Sequence, residues 1–261
     1  MNVCGSGYNV FLRMDGIRCR TRREKHMSDS QTTHTQQKAP GRRGLFITIE
    51  GGDGAGKSTQ AALLADHLER RGCTVRRIHE PGGTELGERI RAVLLDATVS
   101  EVDSLAELLL YEAARAQLVS EVIVPALDAG EVVVCDRFAD STLAYQGFGR
   151  QLDVALVGRL NDIAAQGAVP DRTVLLMLDA EDGLARATSG AQGADRMEQA
   201  GTAFHHRVCD GFRQLASSCP ERMRVVDAQG TPEQVHEAVL AALEDMLPQT
   251  PDAGGKTGGC R

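Results

Sequence analysis

From residue 45 to residue 247, short apolar runs alternate with longer amphipathic stretches. Residues 45–50 form a β-prone run that ends on Glu50. A helix is expected next, up to about residue 71, with Leu63, Leu64 and Leu68 on one face and Gly72 as its stop. Residues 74–79 predict a second strand. Helical patterns cover about 87–95 and 104–128, with Pro125 as a candidate kink. Residues 132–135 are wholly apolar and predict a buried strand. A helix over about 152–166 precedes a strand over 173–178, and a helix over about 205–217 precedes a strand over 223–226. The last helix, over about 232–247, has a marked start: Thr231 caps it, Pro232 occupies the first turn and Glu233 lies near its positive end. Five apolar strands separated by helices predict a parallel sheet covered on both faces, with ligands at the carboxyl ends of the strands.

The ends read differently. Residues 1–44 mix Gly, Ser, Thr, Gln and Arg without apolar period and are expected to be disordered, as are residues 248–261. The basic stretch 18–25 lacks the adjoining apolar segment of a targeting peptide. Initiation at Met27, with an overlong start before it, is an alternative account of this extension. The domain proper is therefore expected to span 45–247.

Charge and cysteines narrow the class. Residues 1–44 hold nine Lys/Arg and three Asp/Glu, so the net −7 of the chain leaves −13 on residues 45–261. A body that acidic argues against a nucleic-acid surface, and an anionic ligand must then be met by a few local arginines. No apolar run approaches the ~18 residues of a membrane span. The seven cysteines form no C-x-x-C pair, which indicates free thiols in the cytoplasm and neither a zinc site nor a disulfide framework.

The sharpest chemical signal is Gly51, Gly52, Asp53, Gly54, Ala55, Gly56, Lys57, Ser58 and Thr59. The pattern G-x-x-x-x-G-K-S runs from Gly51 to Ser58, between a predicted strand and a predicted helix. Glycines let several backbone N–H groups turn toward one phosphate at the positive end of the helix. Lys57 is placed to reach the β- and γ-phosphates of ATP, and the Ser58 hydroxyl to ligate Mg²⁺. Between residues 45 and 247 Lys57 is the only lysine among many arginines. A compact ammonium suits this position where the broad guanidinium fork does not. The predicted architecture is therefore a P-loop NTPase-type three-layer α/β fold with a five-stranded parallel sheet.

Further residues add an acceptor. Asp136 ends an apolar strand, where P-loop enzymes place a carboxylate for Mg²⁺, and the adjacent Arg137 suits bidentate capture of a phosphate. Tyr111 and Arg115 are spaced i, i+4 and share a helix face, so a ring can stack on a base while a guanidinium donates to its carbonyl. On its own, that pair reads better as a core tyrosine and a solvated arginine.

The order and spacing of several segments carry more. Glu80, Pro81, Gly82, Gly83 and Thr84 follow the second strand. Leu110 to Arg115 lie in the long helix. Asp136, Arg137 and Phe138 end the third strand, followed by Ser141, Thr142, Ala144, Tyr145, Gln146 and Gly147. Asp195, Arg196, Met197 and Glu198 follow the fourth strand. Together these resemble bacterial thymidylate kinases, over about residues 44–247. The resemblance implies transfer of the γ-phosphate of ATP to dTMP, with Mg²⁺, in dTTP biosynthesis. It implies that Arg137 and Arg91 contact the acceptor phosphate and that Asp136 lies near Mg²⁺. It further implies that Tyr111 stacks on thymine and Arg115 lies near its O4, with Thr142 and Gln146 facing the base. Tyr145 then lies near C2′ of the sugar, Asp53 near the sugar hydroxyl and phosphates, and Glu80 in the same acceptor set. A homodimer is implied on the same basis.

Two departures stand out. The family carries a catalytic arginine either in the P-loop, where this chain has Gly54, or in a lid, here about residues 184–198. Residues 187–194 contain no arginine; only Arg186 and Arg196 flank them. The resemblance gives Arg186 to adenine stacking, and Arg196 is taken as the catalytic arginine. His79 stands where many members have arginine. Two other readings therefore remain open at this point: a paralogue acting on a modified pyrimidine monophosphate, and a low-turnover nucleotide-binding regulatory module.

Overall fold

The computed structural model describes residues 9–12, 18–21, 43–99, 101–188 and 195–247. Within the N-terminal extension, β1 (Asn9–Leu12) pairs antiparallel with β2 (Arg18–Thr21). The rest of the stretch expected to be disordered before residue 43, Met27 included, lies outside the described residues, as does 248–261.

The five predicted strands are β3 (Phe46–Gly51), β4 (Val75–His79), β5 (Val132–Asp136), β6 (Arg172–Met177) and β7 (Met223–Asp227). All pair in parallel, in the order β4-β5-β3-β6-β7. β3 is thus central, and the chain leaves it first toward one edge and later toward the other. That reversal opens a crevice beyond the carboxyl ends of β3 and β5.

Helices cover both faces. α1 (Lys57–Arg70) and α9 (Pro232–Ala242) pack on Ile47, Ile49, Val134, Val174 and Leu176 through Leu64, Leu68, Val235 and Val239. The other face is shared. α3 (Ser104–Leu118) and the π-helical turn Val119–Ile123 cover Phe46, Val133 and Cys135. α8 (Thr202–Ser218) covers Leu175 and Met223 with Phe204, Val208, Phe212 and Leu215. On this second face β3 also presents Thr48 and Glu50, both fully buried. Thr48 bonds Thr173 at 2.8 Å, and Arg222 grips Asp140 with two parallel bonds of 2.7 and 2.8 Å. β3 is therefore apolar toward α1 and α9 but mixed toward the other face, where Thr48 and Glu50 both have hydrogen-bond partners.

The helix signals are largely realised. Gly72, at φ 82, follows α1. Thr231 caps α9 in a capping box with Gln234. α2 (Glu85–Leu95) starts two residues before the expected 87, because Thr84 caps it by accepting from Gly87 N. The stretch expected as one helix over 104–128 runs as α3, the π turn and α4 (Val124–Asp128), with Pro125 in the first turn of α4. Proline has no N–H to donate backward, and the wide turn absorbs that loss. α6 (Val154–Ala165) lies within its expected span.

Two helical segments had no expected counterpart. α5 (Ala139–Thr142) runs into a π-helical segment, Leu143–Gly149. α7 is Ala180–Thr188. The first is rich in Ser, Thr and Gly, which favour turns over helices, and packing against α8 holds it.

The cysteines divide. Cys135, Cys209 and Cys219 are free and buried. Cys73 corrects the expectation of free thiols, because it is disulfide-bonded. Its nearest cysteines in sequence, Cys19 and Cys135, are distant, and tertiary folding rather than local spacing sets such a bond.

Candidate active site

The carboxyl ends of β3 and β5 are paired in register, Ile49 opposite Asp136. The P-loop leaves one strand and Asp136–Arg137 leave the other, so the two motifs meet without any long side-chain reach. Gly56, in left-handed conformation at φ 84, turns the loop into α1. No side chain caps α1, so its first N–H groups remain available to an anion. Ser58 Oγ lies 2.5 Å from Asp136 Oδ2.

A cavity of about 580 Å³ opens here. It is lined by Asp53, Lys57, Ser58, Glu80, Arg91, Tyr111, Arg115, Asp136, Arg137, Thr142, Tyr145 and Gln146. Every side chain expected to hold the acceptor is therefore in one place, together with the P-loop lysine and both expected Mg²⁺ ligands. The remaining P-loop positions, Gly51, Gly52, Gly54, Ala55, Gly56 and Thr59, form the wall or base of the loop. Arg186 and Arg196 are not among the lining residues.

Two cations stand close together in this site. Lys57 is buried and its Nζ donates to Gly52 O at 2.5 Å, a carbonyl rather than a carboxylate. Burial, then the nearby Arg137 guanidinium, push Lys57 down to about 8. Arg137 adopts φ 70, unusual for a residue with a side chain. Its Nη1 donates to Gly51 O (2.9 Å) and Ser141 Oγ (3.2 Å), and its Nη2 to Asp53 Oδ1 (2.5 Å) and Tyr145 OH (3.1 Å). Burial alone would raise Asp53, but Arg137 and Lys57 outweigh it and hold that carboxyl below the usual range. Two neighbouring cations thus share Asp53, with Asp136 and Glu50 also acting on both.

Arg115 is 1% exposed, and every nitrogen of its guanidinium has a partner. Nε and Nη2 reach Glu80 Oε2, Nη1 reaches Glu112 and Asn161, and Nη2 also reaches Thr142 Oγ1. A base carbonyl meets this guanidinium only by replacing one of these partners, and neutral Thr142 is the least costly to replace. Tyr111 is half-buried beside it, and burial raises its hydroxyl well above the ordinary value. Arg91 Nη1 donates to Pro81 O at 2.9 Å. His79 pairs with Glu88 at 3.0 Å.

The flanking arginines of the lid face elsewhere. Arg196 donates to Leu94 O (2.7 Å) and Glu107 Oε2 (2.6 Å), away from the P-loop. Arg186 is exposed on α7 and donates to Ala228 O at 3.0 Å. Residues 189–194, in the middle of the expected lid, lie outside the described residues. α7 itself rests on the P-loop: a Cβ at Gly54 would lie 2.0 Å from the Gly183 carbonyl oxygen. A side chain at Gly54, arginine included, is therefore shut out by backbone.

Three carboxylates were missed in the sequence. Glu50 ends β3; its Oε1 accepts from Phe138 N (2.7 Å) and Ser141 N (3.3 Å), and its Oε2 from Ser141 Oγ (2.5 Å). Glu107 receives Gln146, Arg150 and Arg196. Asp140 holds Arg222. A signal existed for two of them: Glu50 directly precedes the first P-loop glycine, and Glu107 stands four residues before Tyr111 and eight before Arg115, on the same helix face.

Comparison with known proteins adds the decisive observation. The thymidylate kinase family model matches residues 49–239. The chain belongs to the thymidylate kinase family. The thymidylate kinase of Solidesulfovibrio magneticus is 50% identical over 209 residues, covering 78% of this chain and all of that protein. That of Pelotomaculum thermopropionicum is 48% identical over 205 residues, 78% of this chain and 95% of its own length. A crystal structure of thymidylate kinase from Ehrlichia chaffeensis superposes with a TM-score of 0.63 at 36% identity, covering 77% of this chain and 99% of that one. Family membership makes the chain a nucleoside monophosphate kinase, a phosphotransferase with ATP as a substrate. The matched span contains the P-loop from Ile49 onward and the whole cavity lining.

The contact between Gly54 and Gly183 predicts the effect of filling it. Gly54→Ala should lower kcat about 100-fold, as expected when a loop carrying reacting groups is displaced by about an ångström. Gly56→Ala meets open space and bears only the left-handed φ, so its loss should be smaller. Steady-state ADP release with melting temperatures checks both.

Two buried carboxyls set a pH dependence. Burial, with Asp140 adding to it, pushes Glu50 up to about 8, and burial pushes Glu80 up to about 7 despite Arg115. Both lie above the ordinary value of 4.5, so folding takes up protons between these limits. Their stabilisation is whole below pH 4.5 and is lost as pH rises through 7 to 8. Unfolding free energy from urea titrations should fall across this window, and Glu50→Gln should remove its share of the slope. A flat wild-type profile would contradict the assignment.

Proposed function

We propose that this chain transfers the γ-phosphoryl group of ATP to dTMP, giving ADP and dTDP, in pyrimidine deoxynucleotide biosynthesis. The observation that carries the reading is the convergence of Lys57, Arg137 and the Tyr111–Thr142–Gln146 set on one cavity. The first two are neighbouring cations, and the last three offer one ring and two polar groups to a flat base.

Phosphoryl transfer needs positioning and positive charge more than covalent help from the protein. The uncapped N–H groups of α1 and Lys57 hold the donor phosphates. An anion beside Lys57 and Arg137 relieves their mutual repulsion. Arg137 takes the acceptor phosphate by exchanging its hydrogen bonds to Asp53 and Tyr145. Asp53, released, accepts from the sugar hydroxyl. Tyr145 stays against Phe204 and Phe212 and fills the space a 2′-hydroxyl would need. Arg91 supplies a second contact to that phosphate. The acceptor oxygen is already anionic, so no general base is required.

Ser58 and Asp136 fit Mg²⁺. Their oxygens are in contact, and a hydroxyl with one carboxylate, completed by phosphate oxygens and water, is a donor set this ion accepts. When bound it neutralises charge on the phosphates. The remaining transition-state charge falls to the lid. Arg196 reaches it only by leaving buried Glu107, at a cost of roughly 3–5 kcal/mol. Arg186, on the helix that rests on the P-loop, donates to Ala228 O and is the second candidate.

We assign the protein to the cytoplasm, where its nucleotides are; no helix among the described residues is long and apolar enough to cross a membrane. The acidic body does not suit nucleic acid. We also propose a homodimer. Leu86 and Val93 on α2, Leu105 and Leu109 on α3 and Ile163 on α6 are exposed, and α3 packs on both neighbours. An apolar set of this kind on adjoining helices marks an interface. Light scattering should give twice the monomer mass, and Leu109→Asp should shift it toward monomer; an unshifted monomeric wild type would end the idea.

A paralogue for a modified pyrimidine, or a low-turnover module, is not favoured by near-50% identity along the whole of the relatives. Coupled ADP-release assays should show turnover on dTMP, and Arg137→Ala should raise the KM for dTMP about 30-fold, as for loss of a charged hydrogen bond. ATP binding without turnover on any monophosphate would overturn the reading.

A further inference from the structure

Glu107 lies on α3, is fully buried and touches neither the cavity nor the P-loop. It nevertheless holds a residue that lines the cavity. Gln146 is 1% exposed, and its Nε2 donates to Glu107 Oε1 at 2.9 Å. Arg150 donates to both carboxylate oxygens of Glu107 at 3.1 Å, and Arg196 to Oε2 at 2.6 Å. A carboxylate between two guanidiniums stays ionised: burial alone would raise it, but the bonds from Arg150, Gln146 and Arg196 hold it below the usual range. An ionised carboxylate only accepts. Gln146 must therefore turn its NH₂ toward Glu107, which leaves its Oε1 as the atom available elsewhere. Among the described residues no hydrogen bond occupies that oxygen.

Thr142 completes the pair. It is 2% exposed and lines the same cavity, and its Oγ1 accepts from Arg115 Nη2 at 2.8 Å. Its hydroxyl keeps its proton and a second lone pair, so it can face either a carbonyl or an amino group. The cavity thus offers one fixed acceptor, Gln146 Oε1, beside a hydroxyl that adapts to its neighbour, and the discrimination rests on Gln146. A 4-keto pyrimidine presents the complement, an N3–H donor and an O4 acceptor. A 4-amino pyrimidine presents the reverse, an N3 acceptor and an N4–H donor. Were the Gln146 amide flipped, its NH₂ would face N3 and suit the second base instead of the first.

We infer that Glu107 is a positioning residue for base specificity: by fixing the Gln146 amide it sets the site to accept thymine and uracil and to reject cytosine. It never touches the substrate. The inference rests on the reading that Gln146 faces the pyrimidine, and the two fail differently.

The test is the ratio of kcat/KM for dTMP to kcat/KM for dCMP. Glu107→Gln can offer either end of its own amide, so Gln146 is released and the ratio should fall at least about tenfold, since a site built around a polar group discriminates strongly only while that group is fixed. Glu107→Asp keeps the charge for Arg150 and Arg196 but withdraws it from Gln146, and should lower the ratio less. Arg150→Lys disturbs the same cluster without touching the Gln146 bond, and should lower both kcat/KM values together. The inference is overturned if folded Glu107→Gln lowers both substrates in proportion, or, should that variant not fold, if Glu107→Asp keeps the wild-type ratio. Gln146→Ala separates the two failures: an unchanged ratio there means that Gln146 does not read the base.

Discussion

The site depends on a carboxyl buried at the end of the central strand. Glu50 stands one residue before the P-loop and reaches across to the loop after β5, where Phe138 N, Ser141 N and Ser141 Oγ all donate to it. The parallel pairing of β3 with β5 brings the two chain segments together, and Glu50 fixes how the second one turns. That turn contains Arg137 in a left-handed conformation, which only a closely determined surrounding sustains. The spacing between the P-loop and Arg137 is thus set by a group that does not line the cavity.

Around this anchor the charges follow one rule. The buried and half-buried arginines of the polar face meet carboxylates: Arg137 with Asp53, Arg115 with Glu80 and Glu112, Arg150 and Arg196 with Glu107, Arg222 with Asp140. Lys57 is the exception, since its ammonium meets a backbone carbonyl. Burial without a matched charge is costly, so the exception marks where the ligand's charge belongs. An acidic protein can in this way take a highly anionic ligand, because its positive charge is concentrated at one point rather than spread over the surface.

The same economy explains the arginine-poor lid. α7 lies directly on Gly54, and no side chain fits between them. The P-loop cannot supply an arginine, and Arg196 is held by Glu107 in the cluster that also orients Gln146. Arg196 reads as a lid residue by position but serves the packing of α3 against the lid exit. Local spacing could not reveal this, because its partner is far away in sequence and both are buried only after folding.

The sequence by itself determined the five strands, most helices, the P-loop and the residues that line the cavity. These are legible because they are written in short periods: apolar runs, capping residues, and glycines followed by Lys57 and Ser58. Even Tyr111 and Arg115 share a face by helical spacing alone. Only the tertiary structure decided what those residues do with their hydrogen bonds. It gave every guanidinium nitrogen of Arg115 a partner, tied Arg196 to Leu94 O and Glu107, closed the space at Gly54 and bonded Cys73 through a disulfide. It also formed the helical segment that carries Thr142, Tyr145 and Gln146 from residues with weak helix preference, by packing it under α8. The reason is physical: a motif specifies which groups are present, but burial and distant partners specify which of their donors and acceptors remain free.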